Sequence, residues 1–326
     1  MLTRIGGGYL RHTFYQTYEW NAFYESRISR LKRLLGIKRT EYIVAFRGPA
    51  PVAIIPLLLS RFPSKVEFLS YKVAGANDVI MPDGGEGEDV CRAAVEYMAQ
   101  RYKNRRFFFC DVPGASPVGK ALSAVRGVRI QERQSFHLPV AGFASFDAYK
   151  STLSKSLCQT IRTGRNHLSR TGGWRFFVCG REGMPSPEYL LRLWRLYFAR
   201  KNTWNRRSEL LYNDMVLRFE ALRTQRSAVS RSLEQLDAAR LCVLEIEGRP
   251  AAFAVFYLHD GRAVVPKLAI DNTFKKYSPG LVMLDELVKW CFDNGVQDFD
   301  LSRGYESYKP RMGCVPETIY RFAGHF

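Results

Sequence analysis

The sequence has no CxxC pair, no HExxH helix and no Cys/His cluster at zinc spacing, although it holds seven cysteines and five histidines. The cysteines (91, 110, 158, 179, 242, 291 and 314) are scattered and odd in number, so they are expected as reduced thiols in a reducing compartment. No metal site is expected. A nucleophile elbow of the form Gly-x-Ser-x-Gly is missing, which argues against a serine hydrolase. No glycine-rich nucleotide fingerprint stands near the N-terminus, so the Tyr-x-x-x-Lys spacing of Tyr305 and Lys309, used by some dehydrogenases, is set aside. The longest apolar run, Val52 to Leu59, is broken by Pro56 and falls far short of the ~20 residues a membrane helix needs. Met1 to Leu10, with Gly6-Gly7-Gly8, lacks the continuous apolar stretch of a signal peptide. The expectation is a cytoplasmic protein, soluble or at most peripheral at the inner face of the membrane.

What is present is apolar mass and positive charge. At 326 residues with 46% hydrophobic and 13% aromatic residues, the chain is comfortable as two domains of roughly 150 residues each. The formal net charge of +18 sets a positive field over much of the surface and points to an anionic partner. Coenzyme A phosphates, an acidic carrier protein, tRNA and an anionic membrane face would all gain from that field. No DNA partner is expected.

The patterning suggests a duplication. Glu41 to Ser60 reads as a β-hairpin about Arg47-Gly48-Pro49, and Arg240 to Asp260 reads as another about Glu247-Gly248-Arg249-Pro250. After the first come a short strand at Val66 to Tyr71, a helix from Glu88 to Tyr102 and a strand from Arg106 to Val112. After the second come Ala263 to Ile270, a helix from Pro279 to Phe292 and the strand Val296 to Leu301. Both helices carry apolar residues at three and four spacing: Cys91, Ala94, Val95 and Met98 in one, Leu281, Leu284, Val288 and Cys291 in the other. The order of hairpin, strand, helix and strand thus occurs twice, as duplicated domains would give. Between the halves, Phe146 to Arg170 reads as one amphipathic helical stretch. Leu153, Leu157, Ile161 and Leu168 share a side, Lys155 and Arg162 lie opposite, and Arg165 flanks the polar face. Further helices are expected at Pro187 to Arg200 and Asn213 to Thr224.

Two stretches in the second half carry chemistry. Asn272 to Tyr277, with Lys275 and Lys276, leads into a helix opened by Ser278-Pro279-Gly280. Backbone N–H groups and the positive end of the helix dipole suit an anion there, and Gly280 permits close approach. The second stretch, Asp300-Leu301-Ser302-Arg303-Gly304-Tyr305-Glu306-Ser307-Tyr308-Lys309, begins where a strand ends. It offers acid, base, phenol and cations for activating an amine or hydroxyl and steadying an oxyanion.

At these residues the sequence resembles the GNAT superfamily, specifically the CelD/BcsL branch linked to bacterial exopolysaccharide production and related to the Fem-type aminoacyl transferases. The likeness runs through Lys275 to Gly280 and Asp300 to Lys309. It extends to Leu153 to Arg170, to Ile54-Ile55-Pro56-Leu57, and to Asp111-Val112-Pro113 with Ser116-Pro117. It departs at the donor loop, where the usual pattern of glycines becomes Lys275-x-x-Ser278-x-Gly280. The resemblance implies an α/β fold of two tandem GNAT-like lobes, mixed β-sheets flanked by helices, with lobes at residues 1–145 and 146–326. It implies an N- or O-acyltransferase drawing on acyl-CoA or an acyl carrier protein thioester, without a metal. The acceptor would be an amine or hydroxyl of a cell-envelope or exopolysaccharide precursor. A Fem-type transferase fed by aminoacyl-tRNA and a non-catalytic protein binding anionic polysaccharide or membrane are the alternatives. In this reading Lys275, Lys276, Ser278 and Gly280 hold donor phosphate. Glu306 or Asp300 is the base, Tyr308 the acid, and Lys309, Arg303, Arg162 and Arg165 orient an anionic substrate.

Overall fold

The computed structural model describes residues 13–70, 74–81, 87–202 and 228–326. In chain order the elements are α1 (Tyr18–Ser26), α2 (Arg30–Leu34), β1 (Lys38–Arg47), β2 (Ala50–Ser60), β3 (Lys65–Phe68), α3 (Gly87–Arg101), β4 (Arg106–Pro113), α4 (Pro117–Ser123) and β5 (Arg129–Leu138). They continue with α5 (Phe146–Thr152), α6 (Lys155–Leu168), β6 (Trp174–Cys179), α7 (Pro187–Asn202), α8 (Ala228–Gln235), β7 (Ala239–Ile246), β8 (Arg249–His259) and β9 (Arg262–Ile270). The last are α9 (Pro279–Asp293), β10 (Asp298–Arg303), α10 (Tyr308–Arg311) and β11 (Val315–His325). The helix expected at Asn213 to Thr224 lies outside the described residues.

Two compact units result. The first comprises Met1–Phe136, Ser302–Tyr305 and Pro316–Phe326; the second comprises His137–Leu301 and Glu306–Val315. In the first unit the strands run in the order β1-β2-β3-β4-β11-β5, and in the second β10-β9-β8-β7-β6. The first core gathers Leu57, Phe68, Phe109 and Val112 from the sheet with Cys91 and Met98 from α3. In the second unit α9 buries Val282, Leu284, Leu287, Val288 and Cys291. The apolar stripes read from the sequence fall on the buried faces apart from Leu281, which is half-buried, because each helix can remove only one face from water.

The two hairpins agree to the residue. In β1–β2 the register slips between Ala45 and Phe46, so that Ala45 faces Ala53 while Phe46 faces Pro51. In β7–β8 it slips between Leu244 and Glu245, with Leu244 facing Ala252 and Glu245 facing Pro250. Each bulge therefore follows a proline at the same place, Pro51 and Pro250. A bulge tolerates proline because the ladder is already interrupted there. The register makes Pro51, not the turn proline Pro49, the counterpart of Pro250.

The stretch from Phe146 to Arg170 is two helices instead of one. Leu153 is extended (φ −75°, ψ 150°), and the Ser154 hydroxyl accepts the Leu157 N–H at 3.3 Å to cap α6. A serine at an N-cap offers the backbone an alternative to helix continuation, which the apolar spacing alone does not register.

Candidate functional site

In the second unit β9 and β10 run parallel, and their ladder is short. It joins Asp298, Phe299 and Asp300 to Arg262, Ala263 and Val264 and then stops, although β9 continues to Ile270. Pro266 accounts for part of this: it lies where the β8–β9 register slips between Val255 and Tyr257, and it has no N–H to offer a neighbour. The first polar stretch singled out in the sequence leaves the carboxyl end of β9; the second begins inside β10, which runs to Arg303, and not past its end as the sequence suggested. Open α/β sheets commonly place ligands at the carboxyl ends of such strands.

The loop after β9 is built tightly. Asp271 caps its 3-10 turn, accepting from the Thr273 N–H at 2.9 Å. Ser278 follows in the left-handed region (φ 50°, ψ 48°), a conformation that usually asks for glycine. The serine that departs from the GNAT glycine pattern therefore keeps a glycine-like backbone. Its hydroxyl makes no capping bond; the Ser278 carbonyl instead accepts the Leu281 and Val282 N–H groups. Gly280 lies against Ile270, where a Cβ would come within 2.9 Å of Cγ2. Lys275 and Lys276 stand in the last turn before Ser278, with the Lys276 ammonium 4.8 Å from the Tyr277 ring centre.

Helix α6 rests on this loop. Gly164 has no room for a side chain there, and His167 Nδ1 approaches the Lys276 carbonyl at 3.4 Å. Arg165 turns to α9, donating to Asp285 at 2.7 Å and pairing with Glu286 at 3.0 Å. Lys150 of α5 reaches the same Asp285 at 2.5 Å. Burial pushes the Glu286 carboxyl up, against the pull of Arg165. Arg162 is exposed and donates to Gln159 on its own helix. Of the two arginines, Arg165 is tied into packing and Arg162 projects from the polar face.

The second stretch divides by role. Asp300 is buried and ion-paired with Arg262 at 3.1 Å; Arg262 also meets Asp298 at 2.9 Å, and Asp298 meets His137 Nδ1 at 2.5 Å. Glu306 is partly exposed and lies 2.9 Å from Lys309 Nζ, an ion pair not aligned as a hydrogen bond. Lys309 itself is only 2% exposed, in α10. Burial pushes the Cys314 thiol up to about 12, with the Lys309 ammonium pulling it down. Tyr308 opens α10 and is half-buried.

Arg303 belongs to the first unit, where it pairs with Asp111. Asp111 is fully buried, also meets Arg133 at 3.4 Å, and holds φ 56°. Burial raises its carboxyl pKa, opposed by the Arg303 and Arg133 guanidiniums. The first unit repeats the parallel pair with β3 and β4, matched at Lys65 with Arg106 and Val66 with Phe107. Beyond that match its own chain takes the space. The Asn77 N–H donates to the Asp111 carbonyl and its side chain to the Cys110 carbonyl, both at 2.9 Å, while Ile80 bridges to Ile54 of β2. The duplicated sheets thus differ among the described residues: residues 77–80 follow the parallel pair in the first unit, whereas in the second the β9–β10 pairing extends only to Val264 and Asp300.

Sequence reasoning missed Arg262, Asp298 and His137, whose grouping depends on strand register. It also missed Lys267 on β9, which donates to the Tyr197 hydroxyl of α7 at 3.0 Å. A charged residue next to a mid-strand proline was the available signal. Two open grooves lie away from the singled-out residues. One of about 430 Å³ lies along β1 and α3, and one of about 390 Å³ lies around Gly172, Arg175 and Glu247. Among the described residues, no group of three or more His, Cys, Asp or Glu could hold a metal ion, and no helix is long and apolar enough to cross a membrane.

Residues 155–310 match the family model described as an acetyltransferase (GNAT) domain. No curated protein gives a significant sequence match. Among solved structures, FemX is 12% identical, with a TM-score of 0.60 and cover of 97% of this chain and 96% of its own. The C-terminal DUF2156 domain of an Agrobacterium fabrum protein, assigned as a lysylphosphatidylglycerol synthetase, is 15% identical with a TM-score of 0.58, covering 93% and 92%. A tandem GNAT protein from the clavulanic acid biosynthesis pathway is 10% identical with a TM-score of 0.50, covering 89% and 83%. The fold is α/β, two tandem GNAT-like lobes of mixed sheet flanked by helices.

Proposed function

We propose that the chain is an acyltransferase of the GNAT type whose transfer site lies in the second unit, where the β9–β10 ladder ends above the 272–280 loop. The observation that carries this is the early end of that ladder, set against residues 77–80 following the parallel pair of the first unit. The pantetheine arm of coenzyme A is a chain of amides leading to phosphates, and the carboxyl end of a parallel strand pair is where open α/β sheets commonly take ligands. Its phosphates would meet Lys275, Lys276 and the backbone near Gly280. Acyl-CoA or an acyl carrier thioester is the donor by this reading, with no metal.

The acceptor amine or hydroxyl attacks the thioester carbonyl. Its proton passes to Glu306, the C–S bond breaks, and Tyr308 protonates the departing thiolate. Lys309 holds the Glu306 carboxylate in place. Glu306 is preferred to Asp300 as base because Asp300 is occupied by Arg262 inside the sheet. The exposed Arg162 would orient an anionic acceptor. The resemblance to the CelD/BcsL branch suggests a cell-envelope or exopolysaccharide precursor as that acceptor. The lobes are proposed at residues 1–145 and 146–326.

A second reading is a Fem-type transfer from aminoacyl-tRNA. It is favoured by the net charge of +18 and by the likeness to FemX over nearly the whole chain. The test is mass-spectrometric detection of transfer with panels of acyl-CoA, acyl-carrier and aminoacyl-tRNA donors. Transfer from a thioester supports the first reading and transfer from aminoacyl-tRNA alone the second. Absence of transfer from every donor, with only binding of polysaccharide or membrane, would leave the protein a non-catalytic relative.

A further inference from the structure

The first unit carries a surface that its transfer chemistry does not use. Residues 29–36, spanning α2 and its flanks, are all exposed. They include Leu31, Leu34 and Leu35, at 63%, 75% and 55% exposure. A soluble surface rarely leaves three large aliphatic side chains this open within five residues. Beside them the turn after β2 presents Phe62, 73% exposed, with the Arg61 guanidinium 5.3 Å from its ring centre. The Arg61 N–H donates to the Ile37 carbonyl at 3.0 Å, so the two tips are neighbours.

The charge around these apolar tips has one sign. Arg30, Lys32 and Arg33 stand exposed among the leucines and Arg61 beside Phe62, and residues 27–40 hold no acid. The flanking acids hold the outer cations: Glu41 pairs with Arg39 at 2.7 Å and with Arg101 at 2.6 Å, and Glu67 pairs with Lys65 at 2.6 Å, while Glu25 accepts from the Tyr42 hydroxyl at 2.9 Å.

We infer that this patch seats the protein on an anionic bilayer, with Leu31, Leu34, Leu35 and Phe62 entering the boundary of headgroups and acyl chains while the surrounding cations meet lipid phosphates. A polyanion such as RNA would reward the cations but leave the leucines in water; only a bilayer takes both together. The inference stands apart from the proposed transfer chemistry, since none of these residues belongs to the second unit.

The test is co-sedimentation of the full chain with phosphatidylcholine vesicles, with and without phosphatidylglycerol. Binding is expected only with phosphatidylglycerol. Leu34→Ser with Leu35→Ser should weaken it by about 100-fold, at about tenfold per leucine. Arg30→Gln with Arg33→Gln should weaken it by about 25-fold, at about fivefold per cation. All these side chains are exposed, so unchanged melting curves are expected to separate lost binding from lost fold. Failure of the parent chain to bind phosphatidylglycerol vesicles would overturn the inference, as would leucine variants that bind like the parent. Binding of tRNA that the charge variant loses and the leucine variant keeps, together with unaltered vesicle binding by the leucine variant, would identify a polyanion surface instead. A dimer broken by Leu34→Asp without effect on vesicle binding would also overturn it.

Discussion

A Cβ atom at Gly164 would lie 2.6 Å from the Tyr277 carbonyl oxygen and 3.0 Å from Val282 Cγ2, so α6 meets the 272–280 loop backbone to backbone. In an ordinary helix interior, Gly→Ala stabilises by about 1 kcal/mol. Here overpacking opposes it at a cost of about 1 to 3 kcal/mol, because a carbonyl in a packed turn has little freedom to withdraw. Gly164→Ala should therefore lower stability in urea denaturation and weaken donor binding by displacing the loop. A variant more stable than the parent with equal donor affinity would contradict this contact.

Ser278 tests the same loop from within. Its left-handed backbone costs a side-chain-bearing residue about 1 to 2 kcal/mol, which glycine avoids. Ser278→Gly should raise the melting temperature or leave it unchanged. Ser278→Val should lower it, since a β-branched residue at this φ is an outlier. Ser278→Ala should change it little, as the hydroxyl makes no capping bond. Thermal melts with donor titration distinguish these; a costly Ser278→Ala would mean that the hydroxyl has a role the geometry omits.

The sequence carried the tandem architecture well because it rests on local signals. The apolar stripe of α3 fell on Cys91, Ala94, Val95 and Met98, all buried, and the β7–β8 turn fell at Glu247-Gly248, where both residues hold positive φ. The equivalence of Pro51 and Pro250 was not legible, since it depends on bulges that only cross-strand register defines. The same limit applied at the candidate site. Asp300 and Glu306 look alike in sequence, and what separates them is Arg262, nearly forty residues earlier and one strand away. Asp111 was noticed through family likeness; its burial beside Arg303 follows from β4 and the last residues of β10 entering one unit.

Acid should unfold the protein partly through Glu245 in β7. Burial alone would raise its carboxyl pKa, but hydrogen bonds from Arg175 and the Tyr189 hydroxyl, the latter at 2.5 Å, outweigh it and leave the pKa lowered. A carboxyl lowered in the folded state stabilises above the ordinary glutamate value of 4.5, and that contribution is lost as pH falls through the folded value. Glu41, held by Arg101 and Tyr102 against its own burial, acts in the same direction. Stability measured by urea unfolding should drop between about pH 5 and pH 3. Glu245→Gln should be less stable at neutral pH and show a shallower acid limb; an unchanged limb would remove Glu245 from this account.

The division of labour between Glu306 and Asp300 gives the sharpest test of the site. Glu306→Gln keeps shape and removes proton-accepting capacity, so turnover should fall by ~100-fold to 10,000-fold with little change in melting. Lys309 is buried, so Lys309→Ala would combine a cavity with an unpaired Glu306; Lys309→Met keeps most of the packing and removes the cation. Lys309→Met should slow turnover more than it lowers stability. Asp300→Asn should do the reverse, weakening the hold on Arg262, which retains Asp298, while sparing chemistry per folded molecule. Transfer is followed by mass spectrometry with the donor that the parent uses, beside melting curves for each variant. If Asp300→Asn abolishes turnover with an intact fold while Glu306→Gln keeps the parental rate, the base is Asp300 and the ion pair with Arg262 belongs to catalysis. If all three lose activity only by melting at the assay temperature, the segment from Asp300 to Lys309 is an ion-paired structural knot and the transfer site must be sought elsewhere.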